Sequence, residues 1–437
     1  MALLIRNATL VLPQRVIERG WLRIEGRSIA AMGAGESPMP QPEDALIEKP
    51  ALLVLPGLVN AHTHLEQTFM RGYAGGKPLI AWLKHYVWKL QAAMTVEDVR
   101  LATLLGLLDA LRGGATTIVD HHKVPFSHQH TDVVLETAAQ LGVRLVLARA
   151  WADTGAEAEA ASAILDDLRR LFAEWHGAAE GRIRIANGPL APWRCSAAML
   201  QRTTSLARQH NAITHCHVSE TQHEVALVVR TTGLRPVQWL ARLGVLGADF
   251  HAVHGVWLDD EEIALLQRHS AQVTHCPVAN AILASGVAPV ARLLRAGVRV
   301  ALGTDGPASN DAQDLLETMR WAAYLQRAHT LDPEALPPRT ALRLALQRPD
   351  GSEAALQPGA PADLTLIDLD RVHIQPVHDP LAALVYCARN GDVWGVIVDG
   401  RLIMRAGRFV EVDEAALLAE CRDRARHLAR RAGLLDD

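Results

Sequence analysis

The sequence lacks any long run of lysine or arginine. Its 44 basic residues are balanced by 48 acidic ones, and the formal net charge is −4. Binding to a phosphate backbone depends on clustered positive charge, so no nucleic-acid partner is predicted. The basic stretch 422–431 contains Asp423 and alternates with alanine and leucine, which is typical of a solvated helix face.

Disulfide frameworks, paired-cysteine metal sites and membrane spans are not indicated either. The five cysteines stand apart without a Cys-x-x-Cys pair. No apolar run is long enough to cross a bilayer, and the first residues lack the basic region, apolar run and cleavage site of a secretory signal. We therefore expect a cytoplasmic protein with no membrane partner.

Short apolar runs alternate with amphipathic helical patterns from residue 52 onward. Candidate strands lie at 52–59, 115–120, 143–150, 182–187, 212–218, 250–256, 272–276 and 298–303. Strand–helix alternation predicts a parallel sheet, and this number of units predicts a closed (β/α)₈ TIM barrel. The alternative is an open doubly wound sheet, which typically carries Gly-x-Gly-x-x-Gly after a strand; the sequence has none there.

Strand patterns also occupy both chain ends. An Asp399-Gly400 hairpin signal joins two apolar runs near the C-terminal end. We expect residues 1–55 and 356–437 to form a small β-sandwich with a closing helix at 413–434. The barrel is then expected to span residues 56–355.

Two histidines follow the first candidate strand in the phrase PGLVNAHTH, residues 56–64. Strand side chains alternate between faces, so His62 and His64 point the same way, about 7 Å apart. Neutral imidazole is a common ligand of divalent transition metals. The pair alone is weak evidence, because the sequence also contains His215-Cys216-His217 and His128-Gln129-His130.

Further ionisable residues stand where other predicted strands end. They are His215, His217 and Glu220 after strand 5, His251 and His254 in strand 6, His275 after strand 7 and Asp305 after strand 8. In such barrels the reactive groups gather at the carboxyl ends of the strands. Three imidazoles and one carboxylate suit a divalent ion that activates a water molecule for hydrolysis. His217 is favoured over His215 as a ligand because it is nearer the strand end.

Several phrases resemble the amidohydrolase superfamily, in its mononuclear branch of aminohydrolases. They are PGLVNAHTH at 56–64, MRG at 70–72, GATT at 114–117, HVSE at 217–220, HCPVAN at 275–280, LASG at 283–286 and LGTDG at 302–306. The resemblance runs from the N-terminal strands to the closing hairpin.

The resemblance implies roles for individual residues. His62, His64, His217 and Asp305 would bind the metal, and Asp305 would also help to orient and deprotonate the water. Glu220 would shuttle a proton between water and a substrate nitrogen, and His254 would hydrogen-bond the water or the attacked centre. Relatives with two metals carry a lysine at the end of strand 4, which here reads Asn187-Gly188-Pro189. A single divalent metal ion is therefore expected, most readily zinc, with iron as the alternative.

Two groups within the branch remain open. MRGY at 70–73 and PLIAWL at 78–83 look like S-adenosylhomocysteine and methylthioadenosine deaminases, although Gly75-Gly76-Lys77 replaces their acidic pair. HLEQ at 64–67, DHH at 120–122 and DGPASND at 305–311 look like 8-oxoguanine deaminases and s-triazine hydrolases. The residues of the reaction centre favour the second group.

We expect a hydrolytic deaminase of an amino-substituted nitrogen heterocycle, such as a purine, pterin or triazine, that releases ammonia. A triazine hydrolase that displaces halide, alkylamine or thiomethyl is an alternative. An inactive scaffold is a remote one, because such a chain would be expected to have lost ligands. A homodimer is expected from the resemblance.

Three residues after strands 1, 2 and 4 are predicted to contact the substrate ring. Trp193 is suited to stacking, and Gln67 and His122 are suited to hydrogen bonding. Each of the three is equally well interpreted as an ordinary loop residue.

Overall fold

The computed structural model describes residues 2–73, 75–123, 127–155 and 157–436. The chain begins with strands β1 (Ala2–Val11), β2 (Val16–Glu25), β3 (Ser28–Ala34), β4 (Ala45–Glu48) and β5 (Leu52–Pro56). It then forms β6 (Leu58–Thr63), β7 (Ala115–His122), β8 (Arg144–Trp151), β9 (Ile183–Pro189), β10 (Thr214–Val218), β11 (Phe250–His254), β12 (Gln272–His275) and β13 (Arg299–Leu302). The last strands are β14 (Leu364–Asp368), β15 (Val393–Val398), β16 (Arg401–Arg405) and β17 (Arg408–Phe409).

Strands β6 to β13 form one parallel sheet whose spatial order follows the chain. The first and last of these strands meet where the backbone N–H of Asp305 donates to the carbonyl oxygen of His62 at 3.0 Å. This confirms the predicted TIM barrel.

Helices surround the barrel and connect its strands. They span Leu79–Trp82, Trp88–Ala93, Val96–Arg112, His128–Leu141, Ala161–Glu174, Ala178–Gly181, Ala197–Gln209, Gln222–Thr232, Pro236–Arg242, Asp260–Arg268, Pro277–Ile282, Val290–Arg295, Pro307–Asn310, Leu315–Thr330, Pro338–Leu344, Pro380–Ala382 and Glu414–Arg431. Short 3₁₀ or π turns span Leu65–Met70, Leu83–Val87, Pro192–Arg194, Ala383–Cys387 and Asn390–Asp392. Among the described residues, no helix has the length and apolar character of a membrane span.

The remaining strands of both chain ends form a second sheet. β5 pairs in parallel with β1 and antiparallel with β14, so it joins the two ends of the chain. A separate apolar core collects side chains from both ends, including Leu22, Ile24, Leu364 and Leu366. The arrangement agrees with the predicted small β-sandwich built from both termini.

The predicted strand 52–59 is wrong as a single unit. Its first half is β5 of the terminal sheet, and its second half is β6 of the barrel. The chain changes sheets at Gly57, whose N–H donates to the carbonyl oxygen of Asp363 at 2.8 Å. A Cβ at this position would collide with the side chain of Thr116. Glycine therefore permits the close approach that places His62 at the end of a barrel strand.

A second close approach generates a stability prediction. A Cβ on Gly303, just after β13, would lie 2.8 Å from His62 Cβ and 2.9 Å from His62 N. We expect Gly303→Ala to force β13 away from β6 and to lower the free energy of unfolding by about 1–3 kcal/mol. Thermal and denaturant unfolding measure the change. Gly391→Ala is the control, because no atom lies within 4 Å of its Cβ position. Equal stability of the two variants would contradict the prediction.

Candidate active site

The predicted metal ligands meet at the carboxyl end of the barrel. His62 lies in β6 and His217 in β10, while His64 and Asp305 follow β6 and β13. The nearest ring nitrogens of His62, His64 and His217 lie within 4.8 Å of one another. Asp305 Oδ1 lies 3.2 Å from His62 Nε2 and 3.5 Å from His64 Nε2. The four side chains that the sequence proposed as ligands therefore converge.

Hydrogen bonds fix the orientation of the three imidazoles. Nδ1 of His64 donates to the carbonyl oxygen of His121 at 2.6 Å, and Nδ1 of His217 donates to that of Leu190 at 2.7 Å. Nδ1 of His62 lies 2.9 Å from Nε2 of His215. The rings of His64 and His217 thus present Nε2, with its lone pair, to the common centre, and Nε2 of His62 also faces it.

Burial keeps this centre ready for a cation. It lowers the pKa of His62 to about 4 and holds the pKa of His217 well below its ordinary value. Burial also raises the pKa of Asp305, but His62, His254 and His64 outweigh it, so the pKa stays well below its ordinary value. Neutral imidazoles and an ionised carboxylate are the protonation states of metal ligands.

An orphaned atom tests the fit of a metal ion. Nε2 of His62 is buried and has no hydrogen-bond partner, although it faces Asp305. A divalent ion would supply the missing partner of this nitrogen, and the other converging nitrogen and oxygen ligands would bind the same ion. The residues therefore fit a single divalent metal ion.

A carboxyl and a fourth imidazole lie beside the ligands. Glu220 Oε2 is 3.5 Å from His254 Nε2, and Ser285 Oγ donates to Glu220 Oε1 at 3.0 Å. Nδ1 of His254 donates to Asn280 Oδ1 at 2.9 Å. Burial, followed by the charge of Asp305, raises the pKa of Glu220 to about 8.

Asn280 and Ser285 were missed as site residues in the sequence. Their signal was present in the phrases HCPVAN and LASG, but nothing in those phrases indicated which side chain they would contact. The structure places Asn280 behind His254 and Ser285 behind Glu220. Both residues orient the groups that face the centre.

Three residues near the centre have a strained backbone. Ser219, His254 and Asp305 have φ values of 53°, 71° and 65°, in the left-handed region that non-glycine residues rarely adopt. Such conformations cost on the order of 1–3 kcal/mol each and persist where the surrounding structure imposes them. Two of the three strained residues carry predicted catalytic groups.

A cavity opens above the centre. Its lining is largely apolar and includes Leu79, Trp82, Leu83, Val87, Trp88, Leu190, Trp193 and Leu283. Polar groups enter from Gln67, Gln91, Lys123 and Glu224. The indole N–H of Trp193 donates to Glu224 Oε1 at 2.8 Å, which fixes the ring plane at the wall.

The three predicted substrate-contact residues divide between two places. Gln67 and Trp193 line the cavity. His122 is not among its lining residues; it lies behind the wall, where Nδ1 is 3.7 Å from Glu66 and from Asp120. The cavity residues Lys123 and Glu224 were missed, because their orientation depends on how loops pack.

Comparison with known proteins agrees with this geometry. The profile of the Amidohydrolase family matches residues 53–403. The 5-methylthioadenosine/S-adenosylhomocysteine deaminase of Syntrophomonas wolfei is 38% identical over 94% of this chain and 95% of its own. The 5'-deoxyadenosine deaminase of Methanothermobacter thermautotrophicus is 39% identical over 91% of this chain and 92% of its own.

Solved structures give the same result. An adenosine deaminase from Xanthomonas campestris with bound zinc is 32% identical, has a TM-score of 0.88 and covers 97% of this chain and 98% of its own. An atrazine chlorohydrolase from Arthrobacter aurescens complexed with zinc is 25% identical, has a TM-score of 0.90 and covers 97% of this chain and 100% of its own.

Both groups considered from the sequence are represented among these proteins. The reaction-centre residues favoured the 8-oxoguanine and s-triazine group, whereas the two relatives at 38% and 39% identity are named as deaminases of adenosine derivatives. The predicted reaction class is metal-dependent hydrolytic deamination, in which a carbon–nitrogen bond is broken. These relatives confirm it. The chain belongs to the amidohydrolase family.

Proposed function

We propose that the chain hydrolyses the exocyclic amino group of an adenine-type purine and releases ammonia. The observation that carries this proposal is the pairing of Glu220 with His254 beside the convergent ligands, under a largely apolar cavity. Relatives 38% and 39% identical over nearly the whole chain are named for adenosine derivatives without a free 5'-hydroxyl. The largely apolar part of the wall favours an apolar 5' substituent, such as a hydrogen or a methylthio group, over a free hydroxyl.

His62, His64, His217 and Asp305 are proposed to hold the ion. Zinc is the preferred candidate because the ligands are nitrogen and oxygen atoms and two structural relatives contain zinc. When bound, such an ion lowers the pKa of water from about 15.7 toward 7. A homodimer and a cytoplasmic location stay predictions from the sequence.

Glu220 is proposed to move the protons. Ser285 occupies Oε1, so Oε2 is the oxygen that faces the reaction. The carboxylate accepts a proton from the attacking water and delivers it to the ring nitrogen beside the attacked carbon. A second transfer carries the remaining proton of the added hydroxyl to the amino group, so the carbon–nitrogen bond breaks, ammonia leaves and the ring keeps the oxygen of the water as a carbonyl. A pKa raised to about 8 suits a group that must both hold and release a proton near neutral pH.

His254 is proposed to orient the reactants. Its Nδ1–H is donated to Asn280, and burial lowers the pKa of the ring, so the imidazole is neutral. Nε2 is then an acceptor directed at Glu220 and at the centre. This arrangement holds a water or the protonated carboxyl in line with the substrate.

Substitution of Glu220 tests the proton transfer. We expect Glu220→Gln to reduce kcat by about 10²–10⁴-fold, because the amide cannot accept and return a proton. The variant should keep its metal, measured by elemental analysis, since Glu220 is not a proposed ligand. Glu262→Gln is the matched control, a buried carboxylate on helix Asp260–Arg268 that should leave kcat within a few-fold. Full activity of Glu220→Gln would refute the shuttle.

A substrate panel tests the ring. We expect the fastest ammonia release with 5'-deoxyadenosine and methylthioadenosine, and slower release with adenosine, because the apolar wall disfavours a free hydroxyl. Guanine, 8-oxoguanine, pterins, cytosine analogues and aminotriazines complete the panel. A larger kcat/KM for 8-oxoguanine or a triazine would overturn the adenine proposal and keep the reaction class.

A further inference from the structure

A second group of ionisable side chains is buried behind the cavity wall. Glu66 lies in the turn after β6, and Asp120 and His122 lie on the same face of β7. Glu66 and Asp120 are fully buried, and His122 is 4% exposed. None of the three has a proposed part in the reaction.

In each carboxylate, one oxygen accepts a hydrogen bond and the other has no hydrogen-bond partner. Gln91 donates to Glu66 Oε1 at 3.0 Å, and the backbone N–H of Leu65 donates to Asp120 Oδ1 at 2.9 Å. Glu66 Oε2, Asp120 Oδ2 and both ring nitrogens of His122 are buried without a hydrogen-bond partner. The donors on the outer oxygens orient the two carboxylates so that the inner oxygens face His122.

No neighbouring lysine or arginine compensates these carboxylates. Among the described residues, neither type of side chain forms an ion pair with Glu66 or Asp120, and the nearby guanidinium of Arg149 is bound to Glu159 and Asp167. A protonated His122 would pair with both carboxylates, but its Nδ1 lies 3.7 Å from each, beyond hydrogen-bond distance. Two buried carboxylates are costly without a cation, so the cluster requires a positive partner, either a protonated His122 or a bound metal ion.

The separations fit a shared metal ion. His122 Nδ1 lies 3.7 Å from Glu66 Oε2 and 3.7 Å from Asp120 Oδ2, which is too long for a hydrogen bond. Tetrahedral bonds of about 2.0–2.2 Å separate neighbouring ligand atoms by roughly 3.3–3.6 Å. The three atoms all lie within 4.8 Å of one another, as do those of His62, His64 and His217.

We propose that Glu66, Asp120 and His122 bind a second divalent cation, distinct from the one at the reaction centre. The mixed nitrogen and oxygen donors point to zinc or a similar transition metal, since calcium and magnesium prefer more oxygen ligands. An ion of charge +2 with a neutral imidazole balances the two carboxylates. His122 also borders a surface groove shared with Thr131 and Asp167.

The role of this ion is structural. Glu66 is two residues beyond His64, and His121, between the two β7 ligands, supplies the carbonyl that orients His64. Gln91, bound to Glu66, belongs to the helix Trp88–Ala93 at the cavity wall. The second ion therefore ties the wall to the ends of β6 and β7, and this inference does not depend on which ring is the substrate.

Ion counting and crystallography test the site. Protein saturated with zinc and then desalted should contain two equivalents by elemental analysis. An anomalous difference map at the zinc edge should show one peak among His62, His64, His217 and Asp305, and another among Glu66, Asp120 and His122. Asp120→Asn and Glu66→Gln should each lose one equivalent, whereas Glu262→Gln, another buried carboxylate, should keep two.

One result would overturn the proposal on the wild-type protein alone. A single equivalent with no anomalous peak at His122 would mean that a proton, not a metal, bridges the carboxylates. Loss of both ions in Asp120→Asn would contradict two separate sites. If that variant fails to fold, the wild-type map decides the question.

Discussion

The site depends on how three buried imidazoles are turned. A backbone carbonyl takes the Nδ1–H of His64 and of His217, and His215 contacts Nδ1 of His62. Burial keeps the pKa of His62 and of His217 below its ordinary value, so these two rings are neutral. With Nδ1 occupied, each ring directs Nε2 at the centre. Asp305 supplies the carboxylate there, because its Oδ1 faces Nε2 of His62 and of His64.

The barrel holds these rings in position through close backbone contacts. Gly57 lets the chain leave the terminal sheet and start β6 beside β7, and Gly303 lets β13 approach the backbone of His62. These contacts hold the strand ends at a fixed separation, and this separation sets the spacing of the side chains. His254 and Asp305 lie at strand ends with a left-handed backbone, a conformation that persists where the surrounding structure imposes it.

Much of this could be predicted from local sequence. Hydrophobic periodicity predicted a strand at 212–218, where the structure has β10 at Thr214–Val218. The division of 52–59 between two sheets could not be predicted, because it depends on pairing with β14 some three hundred residues later. The surroundings of His122 could not be predicted either. Alternation along the strand puts His122 on the same face as Asp120, but only tertiary packing decides what that face contacts.

The chemistry and the choice of ring come from different parts of the fold. Strand ends hold the ligands, Glu220 and His254, whereas the cavity wall comes from the segment 79–91 after β6 and from Trp193 after β9. Proteins named for adenosine and for atrazine share this fold at TM-scores of 0.88 and 0.90. Because loops change more readily than strand ends, a new ring is accommodated by a new wall while proton transfer is left intact. We therefore propose that this chain selects its substrate through Trp82, Trp88 and Trp193, which line the cavity.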